Sequence, residues 1–226
     1  MRIVAIVPVK HVSERVVSKN FRDFYQGKSL LEIKIQQLKE CKLFDDIYVS
    51  SDSPDAESLA LKHQIKFLKR DPSLCNNVTP WSDVIYEVIL SLPESEETHV
   101  AWCHTTSPLF NDFENCVQRY IELIEEGVKN GLVAVSECKE FILDEAATPV
   151  NYSWGPWHKY SQFLKKHFFV SGAIFMASRD EMLRNRYVIS TDPYLYQASA
   201  LESIDIDTEF DYEFAKYYYE KLKIGG

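Results

Sequence analysis

The chain has 226 residues, of which 46% are hydrophobic and 13% aromatic, and its formal net charge is -9. This length and apolar content predict one folded α/β domain and exclude a chain that is disordered throughout. The negative charge argues against nonspecific nucleic-acid binding, because that affinity depends on cationic contacts to phosphates.

Apolar segments of strand length alternate with amphipathic helices along the first 136 residues. Strands are predicted at residues 3–9, 46–51, 65–68, 99–103 and 132–136. Helices are predicted at residues 30–41, 56–63, 82–92 and 112–126. Because the strands are apolar on both faces, the alternation predicts an α/β fold with a mostly parallel sheet sandwiched by helices.

This alternation stops at residues 137–166, which carry two prolines and several aromatic residues without a helical or strand period. A long irregular segment in a compact domain usually has a functional or binding role, so we treat it as an excursion within a single domain of residues 1–226. After it, the pattern predicts a strand at residues 168–177, a short helix at 179–185 and a terminal helix at 208–222.

A basic loop follows the first strand, with Lys10, Arg15 and Lys19 within ten residues. Ligands of open α/β sheets bind beyond the carboxyl ends of the strands, and Lys and Arg are the usual partners of phosphates. The loop therefore predicts a phosphate site, although it has no glycine to let backbone amides approach phosphate closely. The alternative is an ordinary solvated basic loop.

An aspartate pair lies near the other end of the chain, at Asp205 and Asp207. In an extended segment the two carboxylates share one face, while Ile204 and Ile206 pack on the other. Two carboxylates on one face suit a hard divalent cation such as Mg²⁺, which usually brings substrate phosphates with it. The alternative is an acidic cap for the helix that starts near Thr208.

Four segments occur in an order that is informative when they are taken together. They are the loop ending in Lys19-Asn20, residues 47–52, residues 106–109, and residues 171–175 followed by 203–211. In this order they resemble the CMP-sugar synthetases, the cytidylyltransferases that activate sialic acids and Kdo. The last segment is similar to the N-acylneuraminate cytidylyltransferase signature and is the most specific of the four.

The resemblance implies a nucleotide-diphospho-sugar-transferase-like, Rossmann-type fold and an enzyme that transfers CMP from CTP to an acidic sugar. It implies Mg²⁺ as cofactor and a homodimer, in which a late excursion covers the neighbouring active site. Residues 137–166 lie in the corresponding place, and their aromatic side chains suit an interface. A subdomain that packs only on its own chain is the alternative.

The resemblance also implies the roles of individual residues. Catalytic roles fall to Lys19, Arg15 and Asp207, and metal binding falls to Asp205 and Asp207. CTP binding falls to Lys10, Ser13, Asn20, Arg70, Ser82 and His104. No general base is obvious in the sequence, since a metal-bound acceptor hydroxyl can do without one, and His104 is the nearby titratable alternative.

The sequence departs from the sialic-acid enzymes mainly on the acceptor side. His104 stands where they carry glutamine, Phe110 and Phe169 stand where they carry arginine, and Ser171 replaces asparagine. Losing two arginines weakens the binding of a sugar carboxylate, since bidentate pairing with arginine is hard to replace. The replacement candidates are Lys159, Lys165, Lys166 and His167.

Three hypotheses remain open. The chain is a cytidylyltransferase for an acidic nonulosonate-like sugar, a cytidylyltransferase for a different acceptor such as another sugar or a phosphonate-type acid, or an inactive relative that serves as a binding subunit. Five scattered cysteines without metal-ligand spacing predict neither a zinc site nor disulfides. No apolar run approaches the roughly 18 residues that span a bilayer, and we expect a cytoplasmic protein without membrane or nucleic-acid partners.

Overall fold

The structure is a computed structural model that describes residues 1–13 and 15–225. Its centre is a seven-stranded sheet in the order β3-β2-β1-β4-β6-β5-β7. The strands are β1 (Ile3–Pro8), β2 (Asp46–Ser51), β3 (Lys66–Lys69), β4 (His99–Trp102), β5 (Gly131–Cys138), β6 (His167–Ser178) and β7 (Pro193–Gln197). All neighbouring strands are parallel except β6, which is antiparallel to both β4 and β5. The predicted mostly parallel sheet is confirmed.

Helices cover both faces of this sheet. They are α1 (Leu30–Glu40), α2 (Pro54–Lys62), α3 (Trp81–Leu90), α4 (Phe113–Glu125), α5 (Arg179–Asn185) and α6 (Glu209–Gly225). Alternate residues of β1 point to opposite faces, so Ile3, Ala5 and Val7 pack with α1, α2 and α4. Val4 and Ile6 pack with α3 and α5. The two-sided apolar pattern of the strands therefore reflects two hydrophobic cores, one on each face.

Every predicted element is present and begins within two residues of its predicted start. Helix α1 begins with a capping box, in which the Ser29 side chain accepts from Glu32 N and the Glu32 side chain accepts from Ser29 N. Strand β7 was not predicted. It pairs only with β5, at the end of the sheet, where it is half exposed.

A third apolar cluster joins the two ends of the chain. Tyr212 and Tyr219 of α6 pack edge-on against Phe24, with ring centroids 5.2 and 5.6 Å apart, and Val16 lies in the same cluster. The cluster places the residues before α6 beside the loop that follows β1. The aspartate pair and the basic loop are neighbours for this reason.

Residues 139–166 form an excursion between β5 and β6. It contains two short 3-10 helices, Gly155–Trp157 and Ser161–Phe163, and an antiparallel bridge between Leu143 and Pro149. Its rings of Phe141, Tyr152 and His158 contact each other. Trp157, Tyr160 and Phe163 are instead exposed, at 76%, 72% and 66%. The excursion is thus only partly packed on its own chain, and its role in a dimer stays a prediction.

None of the helices in residues 1–13 and 15–225 is long and apolar enough to cross a membrane. The five cysteines are free thiols, and four of them are buried.

Candidate active site

A cleft of about 380 Å³ opens where β1, β3 and β4 reach their carboxyl ends. Nine of the predicted site residues line it: Lys10, Ser13, Arg15, Lys19, Asn20, Arg70, His104, Asp205 and Asp207. Ser82 does not line it. That side chain lies half-buried in the first turn of α3, and its role in binding CTP stays a prediction.

Side-chain contacts hold both ends of the glycine-free loop, at Val9, Lys10 and Asn20. Arg70 is buried, and its guanidinium donates to the Val9 carbonyl and, over 3.0 Å, to Cys75 Sγ. Asn20 Oδ1 accepts from Thr105 Oγ1 at 2.7 Å, which joins the loop to the residues after β4. Lys10 Nζ donates to the Asn76 carbonyl at 2.7 Å. These contacts hold the two ends of the loop, and Ser18 takes up a positive φ of 50° without a glycine.

Lys19 connects the loop to the aspartate pair. Its side chain is buried, and Nζ donates to the Ile206 carbonyl at 2.5 Å. Ile206 N donates in turn to the Thr106 carbonyl at 2.9 Å. Burial lowers the pKa of Lys19, while the carboxylates of Asp205 and Asp207 act in the opposite direction. The residue between the two aspartates is therefore held from both sides.

The aspartate pair faces the cleft, and the Ile206 side chain between them is fully buried. Capping of α6 is carried out by other residues. Thr208 Oγ1 accepts from Asp211 N at 3.3 Å, and Asp211 Oδ2 accepts from Thr208 N at 2.8 Å. This capping box removes the alternative in which the pair caps the helix.

The ligand set suits a cation that is shared with a substrate. Asp207 Oδ1 lies 2.8 Å from the Arg15 guanidinium, and Asp205 is exposed to the cleft. Within the described residues there is no group of three or more His, Cys, Asp or Glu side chains that could hold a metal by themselves. Two carboxylates beside a basic loop match the way Mg²⁺ is usually bound, with phosphate and water completing its shell.

His104 does not have the geometry of a general base. Trp102 Nε1 lies 3.0 Å from His104 Nε2, and because an indole can only donate, Nε2 must accept. Burial lowers the pKa of His104 to about 4, so the ring is neutral at pH 7 with its proton on Nδ1. The lone pair that a base would use is already engaged.

Gly172 of β6 allows this histidine to lie close to the sheet. A Cβ at position 172 would lie 2.9 Å from His104 Nδ1 and 3.4 Å from Ser107 Oγ. We expect Gly172→Ala to lower the free energy of unfolding by about 1–3 kcal/mol, although alanine is usually the better strand residue. Denaturant unfolding measures this change. An unchanged unfolding midpoint with unchanged CTP affinity would show that His104 can move away without cost.

Two of the positions that depart from the sialic-acid enzymes do not face the cleft. Phe110 is fully buried and packs in the core at 5.0 Å from Phe113 and 6.5 Å from Tyr196, measured between ring centroids. Ser171 is buried, and its Oγ accepts from Ala173 N at 3.2 Å. Phe169 is exposed near the start of β6. Phe110 therefore supplies no group to the cleft, and the prediction that its presence weakens the binding of an acceptor carboxylate stays a prediction.

The four replacement candidates also lie outside the cleft of their own chain. Lys165 and Lys166 line one cavity in the excursion, and Lys159, Lys165 and His167 line a second. Their role in replacing the missing arginines stays a prediction, which requires the excursion of a second copy over the cleft. The strands β5 and β6 carry these residues outward from the sheet before they can reach the cleft.

Trp81 lines the cleft and was not predicted. Its side chain is 40% exposed and lies edge-on to the rings of Trp102 and His104, at 5.7 and 5.9 Å. A signal was present in the sequence, since Trp81 directly precedes Ser82 at the start of a predicted helix. An exposed aromatic face on a rigid support is suited to stacking on a base or a sugar.

Together, the sheet and the cleft define a Rossmann-like α/β protein whose ligand site combines basic side chains with two carboxylates. The family profile described as Cytidylyltransferase matches residues 4–223, and the chain belongs to this family. The predictions of the family and of a nucleotidyltransferase enzyme are confirmed.

Individual proteins show the same similarity. The chain is 26% identical over 228 residues to pseudaminic acid cytidylyltransferase of Campylobacter jejuni strain 81-176, covering 97% of each chain. It is 24% identical over 224 residues to N-acylneuraminate cytidylyltransferase of Streptococcus agalactiae strain NEM316, covering 94% of this chain and 52% of that protein. Its fold matches that of CMP:2-keto-3-deoxy-manno-octonic acid synthetase complexed with CTP. The TM-score is 0.70 at 14% identity, covering 98% of this chain and 100% of the other. The predicted nucleotide-sugar-transferase-like fold is confirmed.

Proposed function

We propose that this protein transfers CMP from CTP to an acidic, nonulosonate-type sugar and releases pyrophosphate. The family and the names of the pseudaminic and N-acylneuraminate relatives support the substrate class. The main observation behind the proposal is that one cleft is lined by both the cations of the basic loop and the aspartate pair. These residues are Lys10, Arg15, Lys19, Asp205 and Asp207.

The basic side chains fit the charge that moves during this reaction. A hydroxyl oxygen of the acceptor forms a bond to the α-phosphorus, while the bond from this phosphorus to the pyrophosphate oxygen breaks. Lys10, Arg15 and Lys19 neutralise the triphosphate and the leaving pyrophosphate. Preorganised cations of this kind act mainly on the transition state, because they are already oriented when the charge shifts.

Asp205 and Asp207 would hold Mg²⁺ in this proposal. Bound there, the ion would supply Lewis acidity to a phosphoryl oxygen and lower the proton affinity of the acceptor hydroxyl. The chain itself contributes the orientation of both carboxylates, because Ile206 between them is held by Lys19 and Thr106. With His104 Nε2 engaged by Trp102, the proposal assigns no general base among the residues lining the cleft.

The proposal includes a homodimer. Trp157, Tyr160 and Phe163 expose aromatic surface on the excursion, and aromatic residues are enriched in interfaces. Lys159 and Lys165 lie in the same excursion, so a second copy that placed it over the cleft would supply cations for the acceptor carboxylate. Light scattering on the purified protein tests this state, and a monomer at micromolar concentration would contradict it.

A cytidylyltransferase for a different acceptor is the second candidate. It is favoured by the cleft of the single chain, in which the basic residues of the lining all belong to the β1 loop or to Arg70. No arginine from the region of Phe169 joins them.

Pyrophosphate release from CTP and Mg²⁺ tests the proposed function with a panel of acceptors. We expect release with a pseudaminic- or sialic-type acid and its loss on chelation of the metal, because both the phosphates and the aspartates need the cation. Calorimetry measures CTP binding in parallel. Release only with non-sugar acids favours the second candidate. Binding of CTP without release indicates an inactive relative, and the absence of both overturns the enzyme proposals.

A further inference from the structure

Lys34 lies in an unusual position for a lysine, at the centre of helix α1 with its side chain fully buried. Its Nζ donates to the Ser107 carbonyl at 2.9 Å and lies 4.8 Å from the centre of the Phe113 ring. No carboxylate of the described residues lies within ion-pairing distance of it. A buried ammonium group without an ion pair is costly to the fold, so its presence needs a reason.

Lys34 contacts Ser107 in the segment of residues 105–110, the floor segment, whose first two residues, Thr105 and Thr106, line the cleft. Gln37, on the same helix, donates from Nε2 to the carbonyls of Pro108 and Phe110, at 2.7 and 3.0 Å. Helix α1 thus binds three backbone carbonyls of one short segment. An irregular segment that the helix holds at three points is fixed relative to the sheet.

This floor segment contacts both halves of the cleft. Thr105 Oγ1 donates to Asn20 Oδ1 in the basic loop, at 2.7 Å. The Thr106 carbonyl accepts from Ile206 N, between the two aspartates, at 2.9 Å. A shift of the floor segment would therefore move the basic loop and the aspartates relative to each other.

The charge of Lys34 interacts electrostatically with groups that line the cleft. It attracts Asp205, and it is one of the causes, after burial, that lower the pKa of His104. Burial lowers the pKa of Lys34 itself to about 8, and the groups that face it are Cys103 and Asp205. Because the pKa of Cys103 is raised to about 12 by burial and His104 titrates near 4, neither of them changes charge between pH 6 and 10.

We propose that Lys34 is a positioning residue of the transferase, which holds the floor segment and, through Asn20 and Ile206, fixes the basic loop against the aspartate pair. The inference rests on the function proposed above and concerns how that site is kept in its active geometry. A residue with a purely structural role would need neither the charge nor a contact to this segment, since an apolar side chain would fill the same space.

Lys34→Met is the direct test, and Lys39→Met is its matched control. Lys39 lies on the same helix and donates to a backbone carbonyl over the same 2.9 Å, but it is exposed and contacts His63 outside the cleft. We expect Lys34→Met to lower kcat/KM for pyrophosphate release by roughly 10- to 100-fold, the effect of losing a charged hydrogen bond. Lys39→Met should match the wild type.

The pH profile separates positioning from packing. Wild-type kcat/KM should fall as the pH rises through about 8, because Lys34 loses its charge there, and this fall should be absent in Lys34→Met. The fall with pH should also be absent in Lys34→Arg, because arginine stays charged over this pH range. A fall that persists in both variants counts against the inference and assigns the titration to Lys19, whose pKa is also lowered by burial. Equal kcat/KM of Lys34→Met and wild type at every pH overturns the inference.

Two further measurements keep the test decisive. The pKa of His104, followed by NMR in the protein without substrate, should rise in Lys34→Met, because the nearby positive charge of Lys34 is lost. An unchanged pKa would contradict the position of a charged Lys34 beside the cleft. This measurement needs no turnover, so it separates the inference from the proposed function, which fails if the wild type releases no pyrophosphate. If Lys34→Met does not fold, Gln37→Leu decides: a loss of tenfold or more supports the inference, and wild-type kcat/KM overturns it.

Discussion

Replacing Asp207 by asparagine should abolish Mg²⁺-dependent pyrophosphate release, with a loss of about 10³-fold or more in kcat. The amide preserves the shape of the side chain but removes the charge that would hold the cation. Lewis-acid stabilisation is worth several kcal/mol in the transition state, and each 1.4 kcal/mol is a factor of ten. A titration of rate against Mg²⁺ concentration at saturating CTP measures the effect.

The fold should tolerate this substitution. Asp207 contacts the exposed Arg15 guanidinium, and an exposed ion pair contributes about 0–1 kcal/mol. The cap of α6 is formed by Thr208 and Asp211 and remains intact. Glu213→Gln, which removes an exposed carboxylate on α6, is the control for the change in net charge. Wild-type rates in Asp207→Asn would refute the metal assignment.

Lys19→Met should have the second largest effect, a fall in kcat of roughly 10²- to 10³-fold, which is the scale for losing one preorganised donor at a developing charge. Methionine keeps the apolar part of the side chain but removes the ammonium group that donates to Ile206 and faces both aspartates. Because the charge acts mostly on the transition state, kcat should fall more than the affinity for CTP. Steady-state kinetics together with calorimetry separate the two.

The control for Lys19→Met is Lys42→Met, which removes an exposed cation that lies outside the cleft. Circular dichroism should show the same helix content for both variants. A Lys19→Met protein that kept the wild-type kcat and lost only CTP affinity would place Lys19 in ground-state binding rather than in catalysis.

The sequence was sufficient for the strands that are buried on both faces. In β1, every residue from Ile3 to Val7 is apolar, and each is buried by helices on one face or the other. Strand β7 lacks this signal because it lies at the end of the sheet and is only half covered. Its sequence, Pro193 to Gln197, places Tyr194 and Tyr196 after a proline with an apolar residue between them, without a clear apolar–polar alternation. Such a pattern does not distinguish an edge strand from a loop.

The cleft was predictable where its residues follow the carboxyl ends of strands, as Lys10 and Arg70 do. Neighbouring residues on a helix were harder to separate, because they point about 100° apart. Trp81 therefore lines the cleft while Ser82 does not.

Lys34 was not predicted as a site residue, for a different reason. It lies three residues after Leu31 and four before Leu38, on the apolar side of α1, where a lysine is easily taken for an exposed residue.

The reversed direction of β6 has a consequence for the excursion. Strand β5 runs parallel to β4, and β6 returns antiparallel to both, so residues 139–166 leave and rejoin the sheet at the end where the cleft lies. Surface segments tolerate changes of length and composition far better than the strands that carry them. Residues 139–166 can therefore change in length and composition without disturbing the strands that position the cleft.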